Sequence, residues 1–391
     1  MLLSETESEQ RIIRLQKELK GSRIGGALFI HPIDVFYFSG ARQTSTLWVP
    51  AEGSPLLLVR ESLNRALEES CITDIRPFPS SKEFLDIIPA EINKIGFTYD
   101  VVPVQQFNYY STLLPGRELV DISTINRELR SVKSPWELTQ MHASGDKLCE
   151  VFAQIPEFLK PGMREIDLAA EFEYRLCKAG SEGYLQVRAF NQELFRGLVV
   201  SGDNAACPGF FDGPVTGRGL SAASPQGASS AVIETNVPIL MDFAGIFNGY
   251  IVDMTRMFVI GSLGPELLHA FDTALEIQSY LAENLKPGNI CEELFAGALE
   301  KATKAGLGKN FMGAPGENAK FVGHGVGLEL DEFPAIAQGF KVVLQAGQVI
   351  ALEPKFVLPG LGVIGIENDF AVGDGGGVRI TKLSDEIVFI R

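Results

Sequence analysis

The chemistry open to this chain rests on five side chains of its C-terminal half: Asp242, Asp253, His324, Glu353 and Glu367. The two aspartates lie in VPILMDFAGIFNGYIVDMTRMFVI, residues 237–260, where two apolar runs meet at Asn248-Gly249. Asn-Gly between such runs signals a tight hairpin. A two-residue turn there pairs 244 with 253 and 242 with 255, and a turn centred one residue earlier pairs 242 with 253. Side chains alternate faces along a strand, so either register puts both carboxylates on one face. Two acids on one apolar face repel each other, and a cation between them relieves the repulsion. Residues 349–372, VIALEPKFVLPGLGVIGIENDFAV, read as a second hairpin. A loop centred on Gly360 sets Glu353 opposite Glu367. His324 stands in FVGHGVGLELDEFP between Gly323 and Gly325, which let backbone come close to a crowded site. Four carboxylates and one imidazole suit Mn, Co, Fe or Zn. They suffice for two divalent ions about 3.5–4 Å apart, which would acidify a bridging water and polarise a carbonyl or phosphoryl oxygen.

These residues need a scaffold that brings distant segments together, and the sequence contains an internal echo. Leu159-Lys160-Pro161-Gly162 precedes a helical stretch closing at Ala179-Gly180, and Leu285-Lys286-Pro287-Gly288 precedes one closing at Ala305-Gly306; both ends are offset by 126 residues. Each half then runs into strands and ends in a hairpin bearing carboxylates. A duplicated unit would gather the four acids about a pseudo-two-fold axis. Upstream, an amphipathic helix over residues 8–20 is followed by short apolar runs (GALFI, DVFYF, TLWVP, PLLLV) alternating with helical stretches. This predicts an α/β domain over residues 1–125, a helical link over 126–158 and a metal-binding domain over 159–391. His31, His142 and His269 read as turn or helix histidines with structural roles.

With 391 residues the chain is longer than one core usually supports. Its 46% hydrophobic and 21% charged residues are those of an ordinary globular protein. The net charge of −15 argues against nucleic acid and anionic membranes as partners. No run of about 18 apolar residues is present to cross a membrane. The N-terminus is acidic and then helical, without a basic start and an apolar core, so no signal peptide is expected. Cys71, Cys149, Cys177, Cys207 and Cys291 are scattered and odd in number. Reduced thiols and a cytoplasmic location are the expectation. The glycine-rich GDGGGVRI lacks phosphate-loop spacing, and HGVG is no dinucleotide fingerprint.

The settings DFAGIFNGYIVDMTR, GHGVGLELDE, LEP and IEND resemble the pita-bread metallopeptidases: methionine aminopeptidase, aminopeptidase P, prolidase and their relative creatinase. LRSVKSPWEL resembles the junction between the creatinase-type N-terminal domain and the catalytic domain. The resemblance covers nearly the whole chain. It implies an α/β creatinase-like N-terminal domain, an α+β pita-bread catalytic domain with pseudo-two-fold duplication, and a homodimer. By the same resemblance Asp242 binds one ion, His324 and Glu353 the other, and Asp253 and Glu367 bridge them. Glu353 is the implied proton shuttle for the attacking water, and Arg379 the implied support of the carboxylate cluster.

The pattern departs from the family at two histidines that contact substrate. Gln226 stands where the first is expected, and Asp331 occupies the last-histidine position of HGxGxxxHE. A neutral imidazole can donate a hydrogen bond to a developing oxyanion, whereas an ionised aspartate only accepts. The expected activity is Xaa-Pro aminopeptidase or dipeptidase hydrolysis of a short peptide, with Gln226 and Asp331 as substrate contacts. The alternative is a hydrolase or lyase acting on a small non-peptide molecule, in the manner of creatinase or the dimethylsulfoniopropionate lyases, with Asp331 as a base. A binding protein without turnover is a third reading, and five retained ligands count against it.

Overall fold

The computed structural model describes residues 2–183, 185–188, 197–209 and 213–390. The chain divides into two compact units: Met1–Arg130 with Arg188–Phe190, and Ser131–Val187 with Asn191–Arg391.

The first unit is built on a six-stranded mixed sheet. Its strands run in the order Asp74–Pro77, Leu56–Val59, Ser45–Pro50, Gly26–Phe29, Lys94–Phe97 and Glu118–Asp121. Ser45–Pro50 runs antiparallel to both of its neighbours, and the other neighbouring strands pair in parallel. GALF, STLWVP and LLLV are buried at every residue, which is why they read as unbroken rather than alternating apolar runs. DVFYF, grouped with these runs from sequence, instead forms the helix Pro32–Ser39. Pro32 sets its first turn and Gly40, at φ +75°, closes it. Asp34, fully buried on this helix, accepts hydrogen bonds from Asn126 Nδ2 (2.8 Å), Arg130 Nη1 (2.9 Å) and Arg188 Nη1 (2.9 Å).

The second unit carries the duplication. The helices Glu165–Lys178 and Cys291–Lys304 have 14 residues each. Their starts and their ends are both 126 residues apart. Each follows an LKPG turn whose glycine takes a left-handed conformation, Gly162 at φ +84° and Gly288 at φ +93°. The residue before each helix bridges to a later strand-like segment, Arg164 to Val232 and Ile290 to Val343. The long helix Pro135–Phe152, expected as part of a link, belongs to this unit and packs on the first hairpin. Tyr250 OH donates to Glu137 Oε1 (3.0 Å) and Ser144 Oγ to the Phe247 carbonyl (3.3 Å).

Among the described residues the strands of this unit form three sheets. One places Val388–Ile390, Tyr250–Ile260, Ile239–Phe247 and Gly197–Ser201 side by side. Another orders Glu332–Ala337, Phe321–Gly325, Val349–Leu352, Asn368–Ala371 and Val378–Arg379. Lys355–Leu358 and Gly362–Gly365 form a two-stranded extension. The helices Pro265–Glu283 and Cys291–Lys304 bury Ile277, Leu281, Leu294 and Ala298 in the core under the second hairpin. Among the described residues no helix is long and apolar enough to cross a membrane.

Candidate metal centre

The first hairpin takes the two-residue turn. Asn248 (φ +53°) and Gly249 (φ +79°) hold the reversal, Phe247 pairs with Tyr250, Ala244 with Asp253 and Asp242 with Thr255. Asp242 and Asp253 therefore share a face, diagonally placed. In the second hairpin every paired position totals 720 in residue number, from Val349–Ala371 to Leu358–Gly362. The ladder is interrupted only around Glu353-Pro354 and Ile366-Glu367. Proline has no N–H to give there, and both glutamates turn inward. His324 lies on the neighbouring strand, whose flanking glycines are required sterically. A Cβ on Gly323 would fall 2.5 Å from the Ala351 carbonyl oxygen, and one on Gly325 2.5 Å from that of Glu332.

All five predicted ligands meet in one buried cluster, and it has two halves. In the first half, Lys355 Nζ lies 2.9 Å from Asp242 Oδ2, 2.7 Å from Glu353 Oε2 and 2.8 Å from Glu367 Oε2. Burial would lower the pKa of this amine, but the three carboxylates hold it well above the ordinary lysine value. In the second half, one ligand atom each from Asp253, His324 and Glu367 lie within 4.8 Å of one another. The other Glu353 oxygen, Oε1, is 3.7 Å from His324 Nε2, and Glu367 Oε1 is 3.8 Å from it. Each glutamate thus divides its two oxygens between the halves.

In the second half the acids outnumber the single imidazole. Burial, then Glu367, Asp242 and Asp369, push the Asp253 carboxyl well above its ordinary range. Burial lowers the His324 pKa less than Asp331, Glu353 and Glu367 raise it, so the imidazole is brought up to about 9. Asp369 Oδ2 accepts from the Asp253 backbone N–H (2.9 Å), Oδ1 is buried without a hydrogen-bond partner, and burial lifts this acid to about 8. An oxygen-rich set with one imidazole, this half fits a divalent ion. The first half does not fit one, since an ammonium already fills its carboxylate triangle.

The other predicted residues take different places. Asp331, in the left-handed region at φ +59°, sets Oδ1 3.3 Å from His324 Nδ1, and that nitrogen is also 3.2 Å from the Gly325 carbonyl. Glu332, next in the chain, is turned away onto Lys133 Nζ (2.9 Å). Arg379 binds Asp385, Asn368 Oδ1 and the carbonyls of Thr381 and Leu383. It reaches the cluster through Asn368, the neighbour of Glu367. Arg256, which sequence reasoning passed over, is the more direct support, donating to the Glu367 carbonyl (3.0 Å) as well as to Asn368 Oδ1 (2.8 Å). Gln226 is buried in the 216–229 segment, where Gly227 N–H donates to the Thr216 carbonyl. Of the Gly/Pro-rich stretch that contains it, residues 210–212 lie outside the described residues. Lys355, a member of the cluster that no ligand motif marks, stands two residues after Glu353 and so on the same face.

Residues 139–374 match the Metallopeptidase family M24, and residues 11–132 match the Creatinase/Prolidase N-terminal domain. The chain belongs to metallopeptidase family M24, in its creatinase/prolidase branch, and is a hydrolase of that type. It is 28% identical over 388 residues to the Xaa-Pro dipeptidase of Pyrococcus furiosus, covering 97% of this chain and 100% of that one. Its fold is that of the prolidase from Pyrococcus horikoshii OT3, with a TM-score of 0.81 at 24% identity over 96% of this chain and 99% of that one. The Xaa-Pro dipeptidase from Bacillus anthracis is similar to the same degree, with a TM-score of 0.83 at 23% identity over 98% and 100%.

Proposed function

We propose that this chain hydrolyses Xaa-Pro dipeptides with the help of a divalent metal such as Mn, Co, Fe or Zn. The observation that carries the reading is the convergence of Asp253, His324 and Glu367 beside Glu353, inside a full-length match to Xaa-Pro dipeptidase relatives. A bound divalent ion supplies a Lewis acid for the scissile carbonyl and an acidified water. Glu353 is the proton carrier. It is buried, it borders His324 Nε2, and its second oxygen is anchored by Lys355, so its carboxylate is fixed in orientation. Asp331 holds the His324 ring through Nδ1 and leaves Nε2 facing the cluster. Gln226 is the proposed donor to substrate in place of the family histidine.

A second reading, a small non-peptide substrate, draws support from Asp331, whose carboxylate is 40% exposed and stands where relatives need a donor. The two separate cleanly. The purified full chain, loaded with Mn or Co, is assayed with a panel of Xaa-Pro dipeptides and longer Xaa-Pro peptides. Cleavage of the dipeptides supports the peptidase; no cleavage by the metal-loaded protein moves the function to the non-peptide class. A cytoplasmic homodimer completes the proposal. The scattered, odd-numbered cysteines fit a reducing compartment, and sedimentation at micromolar concentration tests the dimer.

A further inference from the structure

We propose that the Lys355 ammonium is a resident monovalent cation standing in for one ion of the expected pair, which leaves a one-ion site at Asp253, His324 and Glu367. The inference rests on the reading of this cluster as a metal centre and is independent of what the substrate is.

Three features of the lysine support it. An ammonium has three N–H donors and no acceptor; here each donor has a carboxylate of its own, Asp242, Glu353 and Glu367, at 2.7–2.9 Å. Those are hydrogen-bond lengths. A divalent ion in the same triangle would draw the oxygens to about 2.0–2.2 Å, so it and the ammonium exclude each other. Next, the lysine is only 1% exposed and its backbone is tied on both sides. Lys355 pairs with Gly365 in the hairpin, while its carbonyl accepts from Met312 N–H (2.9 Å). Last, room for the stem is built into the partner strand. A Cβ on Gly365 would lie 2.7 Å from Lys355 Cγ and 2.7 Å from the Pro354 carbonyl oxygen.

Electrostatics explain why only one half is taken. Glu353 and Glu367 each give Oε2 to the ammonium and turn Oε1 towards His324 Nε2. Thr255 Oγ1 adds a bond to Glu367 Oε2 (2.8 Å), fixing which oxygen goes where. Asp253, the other acid of the first hairpin, has no hydrogen bond from Lys355, whose three go to Asp242, Glu353 and Glu367. One cation is therefore supplied by the chain and one is left to be acquired.

The test counts ions. The full chain is stripped with chelator and titrated with manganese, with bound metal read by elemental analysis and by electron paramagnetic resonance. The wild type is expected to bind one manganese per chain with the six-line signal of an isolated ion. Lys355→Ala is expected to bind two, with the broadened signal of a coupled pair, and Lys355→Arg to keep one. Two ions per wild-type chain overturn the proposal, as do none in the wild type or one in both wild type and Lys355→Ala. If Lys355→Ala does not fold, the wild-type count decides alone. A wild type that binds one ion but cleaves no Xaa-Pro peptide rejects the peptidase reading and leaves this inference standing.

Discussion

Asp331 Oδ1 lies 3.3 Å from Nδ1 of His324, while the opposite ring nitrogen faces Glu353 and Glu367. A carboxylate on the far nitrogen of a metal-ligating imidazole fixes its tautomer and its orientation. Asp331→Ala is expected to weaken divalent-ion affinity about 10–100-fold. Calorimetric titration of the stripped protein checks this. Unchanged affinity with a large loss of turnover would instead make Asp331 a substrate contact.

Glu353→Ala removes the proton carrier and one of three anchors of Lys355. Hydrolysis is expected to fall by at least ~100-fold, with circular dichroism unchanged. Turnover at the wild-type rate would take Glu353 out of the mechanism.

In chelator, Lys355 still donates hydrogen bonds to Asp242, Glu353 and Glu367. Lys355→Met deprives the half-buried Asp242 and the buried Glu353 and Glu367 of their ammonium, and the stripped variant is expected to be less stable than stripped wild type by about 3–5 kcal/mol. Urea unfolding in excess chelator measures it, and equal midpoints would show that the acids discharge by taking up protons.

Glu165 is a structural acid at the start of the first repeat helix. Oε1 accepts from Ser201 N–H and Oγ, and Oε2 from Asn204 Nδ2 and from Ser229 N–H and Oγ. Five donors converge on one fully buried side chain. Glu165→Ala removes the acceptor they share and is expected to cost about 3 kcal/mol, read by denaturant titration.

Asp34 gives the first unit an acid-sensitive lock. Burial would raise its pKa, but Arg188, Arg130 and His31 bring it down to about 2, from 3.8. Because the folded value is depressed, the stabilisation is complete above the unfolded value and is lost as pH falls from about 4 through 2. The difference is worth about 2 kcal/mol. Stability measured from pH 6 to pH 2.5 is expected to decline less steeply in Asp34→Asn, which starts lower.

What could be read from sequence follows from where period and turn chemistry act. Asn248-Gly249 and the loop at Gly360 determine the hairpin registers, and parity then places Asp242 with Asp253 and Glu353 with Glu367. The LKPG echo, with its two left-handed glycines, marks the repeated helices for the same reason. Lys355 shares the parity of Glu353, so its face follows from the sequence, whereas its three carboxylate partners come together only through tertiary folding. The direction of Asp331 was not legible: it sits at positive φ in an irregular turn, where no period applies. DVFYF is too short a run for its period to separate strand from helix, and only Pro32 and Gly40 at its ends favoured the helix. The Arg256 contacts are made to carbonyls brought near by tertiary folding, which no local pattern encodes.

Lys355 also changes what sets the electrical balance of the cluster. One positive centre is delivered at translation, in fixed stoichiometry, and metal scarcity cannot remove it. A single codon change at position 355 would hand that half of the centre back to the supply of inorganic ions.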